Sequence, residues 1–372
     1  MRLIKHTLKQ LISGLRTEFA TRRASDHRPI PCSFPVSADY IVSTDGGLFR
    51  ISRDAIRHLS LVPAFGLAID GDDVFIATWG DNHTAILQGR AGALSDRRSF
   101  FWNEIYSQPV ASSAGRIHQI GVHGNALWLA NTGHNCLTKL DRRTGAWRAN
   151  IAPLACAFGG PIFGDNNHIN GVSPGPDHLV FSVFKIHRQA AFGICGRGRI
   201  TLFPYPNIGI HDCIVAGGEL WFSDSYRFWE NKGGGVALRN GKILHRDWFD
   251  TNPQGFVRGI SGSNGEIIVG SSFFGTRQQR FGGRGSLILI QDVRNAFTTL
   301  ELPASQIYDI VRIDGRHFPA KPPNTFDEAF GALRRALGDP LVEYPLRNFL
   351  VSKSGIKFDD RDLGEIDELL DA

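Results

Sequence analysis

Three histidines in the middle of the chain are the residues best suited to chemistry. His118 and His211 each open a short strand-like segment, and His168 stands two positions before Asn170, which opens another. Imidazoles held on rigid strands bind Zn, Fe, Mn or Cu and leave coordination positions open. A second interpretation needs no metal, because one imidazole acts as general acid or base while Arg258 holds an anionic group. In a third interpretation, these polar residues line a water-filled channel and hydrogen-bond backbone groups.

The elements that must bring these residues together repeat along the chain. Residues 115–148 form a pattern of four short strands bounded by Gly, Asn and Asp turns, which is typical of antiparallel hairpins. Successive starts of this pattern are 51, 52, 41, 47 and 50 residues apart, and they fall at Leu67, His118, Asn170, His211, Arg258 and Tyr308. A period of about 40–50 residues with four strands per copy is typical of a β-propeller.

The last copy of the repeat decides the number of blades. It supplies one strand, residues 307–313, after which the pattern stops. Residues 39–53 and 57–62 match the second to fourth strands of the unit, so the N-terminal segment completes this blade. We therefore predict an all-β fold, a six-bladed β-propeller closed by N- and C-terminal strands that share one blade.

Propeller geometry predicts where the chemistry lies. The first strand of each blade lines the central axis, so the residues that open successive blades converge on one mouth. We predict catalytic roles for His118, His168, His211 and Arg258, with the three imidazoles as metal ligands. We predict that a small polar or anionic ligand is bound by Asn170, Tyr308, Asp309, Arg277 and Arg280.

Two connections are longer than the repeat requires. They are residues 226–235 and 273–285, and the second carries Arg277 and Arg280. Long loops on a rigid frame are common recognition elements. The alternative function is therefore a non-catalytic propeller scaffold that holds a protein partner through these loops and the terminal helices.

The segments that flank the propeller, residues 37–319, have helical patterns. Residues 1–36 are predicted to be a basic amphipathic helix and a linker, with the helix (1–24) packed on the propeller or in peripheral contact with an anionic membrane. Residues 320–372 are predicted to be a C-terminal helical extension with an acidic tail. Thr325 and Glu328 form a capping box, and Gly338 ends that helix. The tail pairs with the basic helix or docks on a partner protein.

Composition excludes several classes of protein. The net charge is +5, but residues 1–28 carry +5 and residues 356–372 carry −5, so the body spreads its +5 over a large surface. A charge spread in this way is not the concentrated basic patch expected of a nucleic-acid-binding protein. The Gly-rich runs lack the strand–loop–helix context of a nucleotide cofactor site. No run approaches the roughly 20 apolar residues of a transmembrane segment. Five cysteines without a C-x-x-C pair favour reduced thiols in a cytoplasmic protein.

Four segments resemble an uncharacterised bacterial family of six-bladed propellers, in which His-Asp, Asp-x-x-His-Leu-Asn-Gly, His-Ser-Pro and Arg-Gly motifs open successive blades. The segments are RIHQIGVHGNALWLANTGHNCLTKLD, DNNHINGV, HDCIVAGGELWFSDS and GFVRGISGSNGEIIVGSS. The resemblance covers about residues 115–277 and implies no activity. It implies the same fold and a shared site of His118, His168, Asn170, His211 and Arg258. Gln119 stands where the family has Asp, and Asp212-Cys213 replaces Ser-Pro. More loosely, the chain is similar to propeller lactonases and lyases.

Overall fold

Short strands rich in Ile, Val, Leu and Phe pair into six antiparallel sheets of four to six strands. The structure, a computed structural model, describes residues 29–80, 83–95, 101–109, 116–154, 168–186, 189–225, 235–244, 255–263, 265–273, 283–291, 296–318, 325–345, 350–352 and 355–358. The first strands of neighbouring sheets contact one another all the way round a central axis, so each sheet is a blade. The prediction of an all-β propeller with six blades is confirmed.

The blades are numbered in chain order, and the strands of each are given from the axis outward. Blade 1 consists of β5 (Leu67–Asp70), β6 (Asp73–Trp79), β7 (His83–Arg90) and β8 (Asn103–Pro109). Blade 2 consists of β9 (Ile117–His123), β10 (Ala126–Asn131), β11 (Cys136–Asp141) and β12 (Trp147–Ile151). Blade 3 consists of β13 (Ile169–Pro174), β14 (His178–Ile186), β15 (Gln189–Gly196) and β16 (Arg199–Tyr205). Blade 4 consists of β17 (Ile210–Ala216), β18 (Glu219–Asp224), β19 (Val236–Arg239) and β20 (Lys242–Ile243). Blade 5 consists of β21 (Gly255–Ser263), β22 (Glu266–Phe273), β23 (Ser286–Gln291) and β24 (Ala296–Glu301). Blade 6 consists of β25 (Ile307–Arg312), β2 (Tyr40–Thr44), β3 (Gly47–Ile51), β4 (Ala55–Ser60) and β1 (Ile30–Pro31). A short helix α1 (Gly92–Ser95) follows β7, and a 3₁₀ turn (Thr132–His134) follows β10.

Blade 6 is shared by the two ends of the repeat. Strand β25 pairs antiparallel with β2, and Asp309 lies opposite Ser43. This is the pairing that the truncated last copy of the repeat predicts. The first and last blades are therefore joined through a hydrogen-bonded ladder instead of an open sheet edge.

The first strands of blades 2 to 6 each carry an irregularity where the predicted site residues lie. Their register against the second strand shifts around His118, Asn170, Asp212, Gly259 and Tyr308. Blade 1 pairs without such a shift. A bulge gives the strand one extra residue and turns neighbouring side chains toward different surroundings. In blade 4 this puts Asp212 at a φ of 54°, in the left-handed region that few non-glycine residues adopt.

Polar side chains of the inner strands tie each blade to the next. At all six junctions a side chain bonds a backbone group of the neighbouring first strand. The bonds are Thr84 Oγ1 to Ile117 N (3.5 Å), Gln119 Oε1 to Val172 N (2.8 Å), Asn170 Nδ2 to Ile210 O (2.8 Å), Asp212 Oδ2 to Gly259 N (2.9 Å), Ser272 Oγ to Ile307 N (2.8 Å) and Asp309 Oδ2 to Leu67 N (3.2 Å). Part of the axial polarity is thus structural, as the channel-lining interpretation predicts.

The C-terminal extension contains a helix and three strands. Helix α2 (Phe326–Leu337) begins at the predicted capping box, in which Thr325 accepts from the Glu328 backbone, and it buries Leu333 against blades 3 and 4. The chain then adds β26 (Val342–Pro345) to the outer edge of blade 3, and β27 (Leu350–Ser352) with β28 (Gly355–Phe358) to blade 2. The sequence predicted only the helix. The predicted N-terminal helix (1–24) and most of the acidic tail (359–372) lie outside the described residues. No helix in the described part of the chain is long and apolar enough to cross a membrane.

Candidate functional site at the axial mouth

Most of the predicted site residues meet at one point of the axis. A void of about 10 Å³, room for about one water molecule, is lined by Phe65, His118, Gln119, Asn170, His211, Asp212, Arg258, Tyr308 and Asp309. His168 packs beside this group, with its ring centroid 4.7 Å from that of His118. Arg277, Arg280 and most of both long loops lie outside the described residues.

His118 and His211 have matching surroundings in blades 2 and 4. The Nδ1 atom of His118 lies 2.8 Å from the carbonyl oxygen of Arg116 and 2.7 Å from the hydroxyl of Thr132. The Nδ1 atom of His211 lies 3.0 Å from the carbonyl of Gly209 and 2.8 Å from the hydroxyl of Ser225. In both blades the carbonyl comes two positions before the histidine, and the hydroxyl comes fourteen positions after it (132−118 and 225−211).

Each of these hydroxyls also bonds a carbonyl of the next blade. Thr132 Oγ1 donates to Ile169 O over 2.6 Å, and Ser225 Oγ donates to Val257 O over 2.6 Å. Because a hydroxyl has one proton, it then accepts from the imidazole. Both neighbours of each Nδ1 are acceptors, so the proton of the neutral ring belongs on Nδ1 and the lone pair on Nε2.

Both imidazoles are held neutral. Burial lowers the pKa of His118 well below its ordinary value, and the neighbouring His168 and Arg258 lower it further. Burial likewise lowers the pKa of His211 well below its ordinary value, with Arg258 as the next cause. Neutral rings with Nδ1 protonated offer Nε2 as a hydrogen-bond acceptor or as a ligand atom.

Two acceptors in this group are buried without a partner among the described residues. They are Nε2 of His211 and Oδ1 of Asn170. Both side chains line the same void, and both residues are at most 4% exposed. A buried polar atom without a hydrogen bond costs about 1–3 kcal/mol, so such atoms are informative about what the site binds.

Positive charge and aromatic rings border these acceptors. The guanidinium of Arg258 lies 4.6 Å from the ring centroid of Phe256 and 5.7 Å from that of Tyr308. Arg116 lies 4.3 Å from the ring centroid of Trp79. Arginine retains its charge in such surroundings and stacks on aromatic faces.

Two buried carboxyl groups lie beneath the mouth. Burial, followed by the charge of Asp309, raises the pKa of Asp212 to about 7. Burial also raises the pKa of Asp309 to about 7. Burial thus weakens the negative charge of this pair at neutral pH, while Arg258 and Arg116 supply positive charge at the mouth.

The predicted metal centre finds no support in the side-chain geometry. Among the described residues, which include His118, His168 and His211, no group of three His, Cys, Asp or Glu side chains is arranged to hold a metal ion. The ring of Phe184 contacts both His168, at a centroid distance of 5.2 Å, and His211, at 6.0 Å. The geometry of the three imidazoles therefore supports no chemical step through a metal, and the metal stays a prediction.

A second, larger cavity of about 620 Å³ occupies the opposite half of the axis. It is lined by the later residues of the first strands and by residues 315–318, and it includes His123, His178, His317 and Arg316. None of the side chains that line it has a buried polar atom without a hydrogen bond in the described part of the chain. The larger volume therefore favours this cavity as the ligand site, whereas the two buried acceptors without a partner favour the mouth. Recognition depends on convergent polar groups, so the mouth is the better candidate site.

Comparison with known proteins supports the fold and no activity. No protein-family model and no curated protein matches the chain. The chain is similar to a chain in the crystal structure of a nidogen/laminin complex, with a TM-score of 0.52, 10% identity, and coverage of 75% of this chain and 100% of that chain. A weaker likeness, with a TM-score of 0.45 and 10% identity over 74% of this chain and 99% of that chain, is to a 6-phosphogluconolactonase candidate from Bacteroides uniformis. Another, with a TM-score of 0.44 and 10% identity over 76% of this chain and 84% of that chain, is to a luciferin-regenerating enzyme. Of these three, the first alone has a TM-score above 0.5, and at 10% identity it indicates a shared fold and no shared activity.

Sequence reasoning missed several residues of this site. Phe65 and Arg116 stand two positions before a repeat start, as His168 does. Thr132 and Ser225 share the position fourteen residues after a repeat start. Both offsets are visible once the copies are aligned, so the repeat itself contained the signal.

Proposed function

We propose that the protein binds a small anionic ligand at the axial mouth, with Arg258 as the counter-charge. The observation that carries this proposal is the shared void. Arg258 lines it together with two buried acceptors that have no partner among the described residues, Asn170 Oδ1 and His211 Nε2. Arg258 meets the negative charge, and a hydrogen-bond donor on the same ligand is needed for the acceptors, each of which costs about 1–3 kcal/mol while it is unpaired.

The charge distribution supports an anion over a cation. Arg258 and Arg116 are cationic at the mouth, while burial raises the pKa of Asp212 and of Asp309 to about 7 and so weakens the opposing negative charge. Hydrogen bonds from a guanidinium to a carboxylate or phosphate are stronger than neutral ones, and they gain further where water is excluded.

The proposal is for binding, without an assigned reaction. The lowered pKa values of His118 and His211 make these imidazoles weak proton acceptors. The predicted metal ion would add Lewis-acid chemistry if bound by the three histidines. Metal analysis of the purified protein and of a His168→Ala variant tests that separate prediction. The scaffold alternative also stays a prediction, because its loops lie largely outside the described residues.

A titration of the purified protein tests the proposal. Isothermal calorimetry with propionate, lactate and inorganic phosphate is expected to show one site per chain for at least one of them. Arg258→Gln is expected to weaken that binding about tenfold or more, since a charge-assisted hydrogen bond is worth about 1.5–3 kcal/mol.

The matched control is Arg316→Gln, which removes an arginine from the opposite cavity. It should leave the affinity unchanged. Equal weakening in the two variants, or binding that survives Arg258→Gln, would place the ligand elsewhere and overturn the proposal.

A further inference from the structure

His118 in blade 2 and His211 in blade 4 are each held by the same arrangement of hydrogen bonds. An imidazole Nδ1 contacts a carbonyl two residues earlier and a hydroxyl fourteen residues later, and that hydroxyl spans to the next blade. The same position in blade 5 is Ser272 (272−258), which bonds the backbone of Ile307 instead of a histidine. The hydroxyl is therefore a blade-joining element that blades 2 and 4 also use to hold an imidazole.

We propose that Thr132 and Ser225 are positioning residues that hold His118 and His211 with the proton on Nδ1, so that the mouth selects anions carrying a hydroxyl group. The selectivity part rests on the proposed function. The tautomer part rests on the hydrogen-bond geometry alone.

The hydroxyl requirement follows from the acceptors at the void. With Nδ1 protonated, Nε2 of His211 has only a lone pair to offer, and Oδ1 of Asn170 is likewise an acceptor. A group that enters beside them must donate a hydrogen bond to at least one of the two, and a hydroxyl, which has one proton, satisfies one of them. A void of about 10 Å³ admits one oxygen-sized atom.

A hydroxyl fits this void better than an ammonium group. An ammonium would be buried beside the guanidinium of Arg258, whose charge already lowers the pKa of both His118 and His211. Burying a second cation there is costly. A neutral hydroxyl avoids that cost. Only the hydroxyl enters the void, and the anionic group of the same ligand lies outside it, where it would meet the guanidinium of Arg258. The ligand class is thus a hydroxy-carboxylate or a hydroxyalkyl phosphate.

The tautomer is measured on the free protein. Histidine-selective ¹⁵N labelling and long-range ¹H–¹⁵N spectra at about pH 8 separate protonated from unprotonated ring nitrogens. The signals are assigned with His118→Gln and His211→Gln variants. Nδ1–H on both rings is the expected result. Nε2–H on either ring would overturn the positioning role, whether or not any ligand binds.

The selectivity is measured with pairs of probes that differ by one hydroxyl. Lactate is compared with propionate, and 2-hydroxypropyl phosphate with propyl phosphate. The wild type is expected to prefer the hydroxylated member about tenfold, the value of one well-made hydrogen bond to a buried acceptor. Ser225→Ala should reduce this preference at least about threefold while leaving the deoxy probe unaffected. Ser225→Thr should restore it.

Ser272→Ala is the matched control, because it removes the equivalent blade-joining hydroxyl without touching a histidine. It is expected to lower stability and leave the preference unchanged. If both members of a pair bind equally and Arg258→Gln still abolishes binding, the proposed function stands and the hydroxyl selectivity is wrong. If no probe binds, the proposed function and the selectivity both fall, and the ¹⁵N spectra alone decide the tautomer.

Discussion

Replacing Asp212 with Asn isolates the energetic effect of one buried carboxyl at the axis. Oδ2 of Asp212 accepts from the hydroxyl of Ser223 and from the backbone N–H of Gly259, 2.9 Å away. The amide oxygen of an asparagine can take over both bonds, and asparagine tolerates the left-handed φ of 54° at this position. The substitution therefore removes the titration and retains the contacts.

The magnitude follows from the raised pKa. Burial and the charge of Asp309 raise the pKa of Asp212 from 3.8 to about 7, so the folded state holds the proton more tightly than the unfolded state. The stabilisation from the protonated carboxyl is complete below about pH 4 and is lost as the pH rises through about 7. Between about pH 5 and about pH 8 the loss is roughly two pH units multiplied by 1.36 kcal/mol, or about 3 kcal/mol.

Urea unfolding measured across this pH range checks the prediction. The free energy of unfolding of the wild type should fall relative to that of Asp212→Asn by about 3 kcal/mol between about pH 5 and about pH 8. Asp309 and His317, the other titratable groups that act on Asp212, are present in both proteins. Asp72→Asn, which removes an exposed carboxyl in the turn after β5, should give a profile parallel to the wild type. A parallel profile for Asp212→Asn would refute the reasoning.

Two further predictions concern the same layer of the propeller. Gly259→Ala should destabilise the fold by about 1–3 kcal/mol in urea unfolding, because φ is 75° and the new Cβ would lie 2.9 Å from Ile310 Cγ1 and 3.1 Å from the Asp309 carbonyl carbon. Gly71→Ala, at a φ of 58° with no atom within 4 Å, should cost only about 1 kcal/mol, and equal losses would contradict the steric argument. Because burial lowers the pKa of His211, the unfolded state takes up that proton first and stability falls as the pH drops below about 6.5. His211→Gln should therefore lose less stability than the wild type between about pH 6.5 and about pH 5; an equal loss would mean that His211 is not buried as a neutral group.

The repeat made the fold predictable, and the bulges limited what could be predicted of the site. Spacing alone placed His118, Asn170 and His211 at equivalent positions and closed the ring through residues 307–313. It did not show that Asp212 lines the same void as its neighbour His211, because an alternating strand pattern puts adjacent side chains on opposite faces. Only the pairing of β17 with β18 reveals the extra residue.

The metal prediction failed to gain support for a related physical reason. Converging histidines are necessary for a metal site, but the distance between their rings depends on what packs between them. Phe184, at the position fourteen after Asn170 (184−170), contacts both His168 and His211. The equivalent position holds a hydroxyl in blades 2 and 4, so aligning the copies shows a phenylalanine in blade 3 but not which imidazoles its ring contacts.

The axial residues have two roles, to line the void and to bond the neighbouring blade, and at the bulges these roles fall to adjacent residues. In blade 4 the blade-opening residue His211 offers an acceptor to the void, while the next residue, Asp212, bonds the backbone of blade 5. Blade 6 repeats this division, because Tyr308 lies near Arg258 while Asp309 bonds the backbone of blade 1. A substitution at His211 or Tyr308 should therefore alter ligand binding more than the stability of the ring, whereas a substitution at Asp212 or Asp309 should cost stability first. A propeller that assigns the two roles to adjacent residues can change its ligand while the ring of blades stays closed.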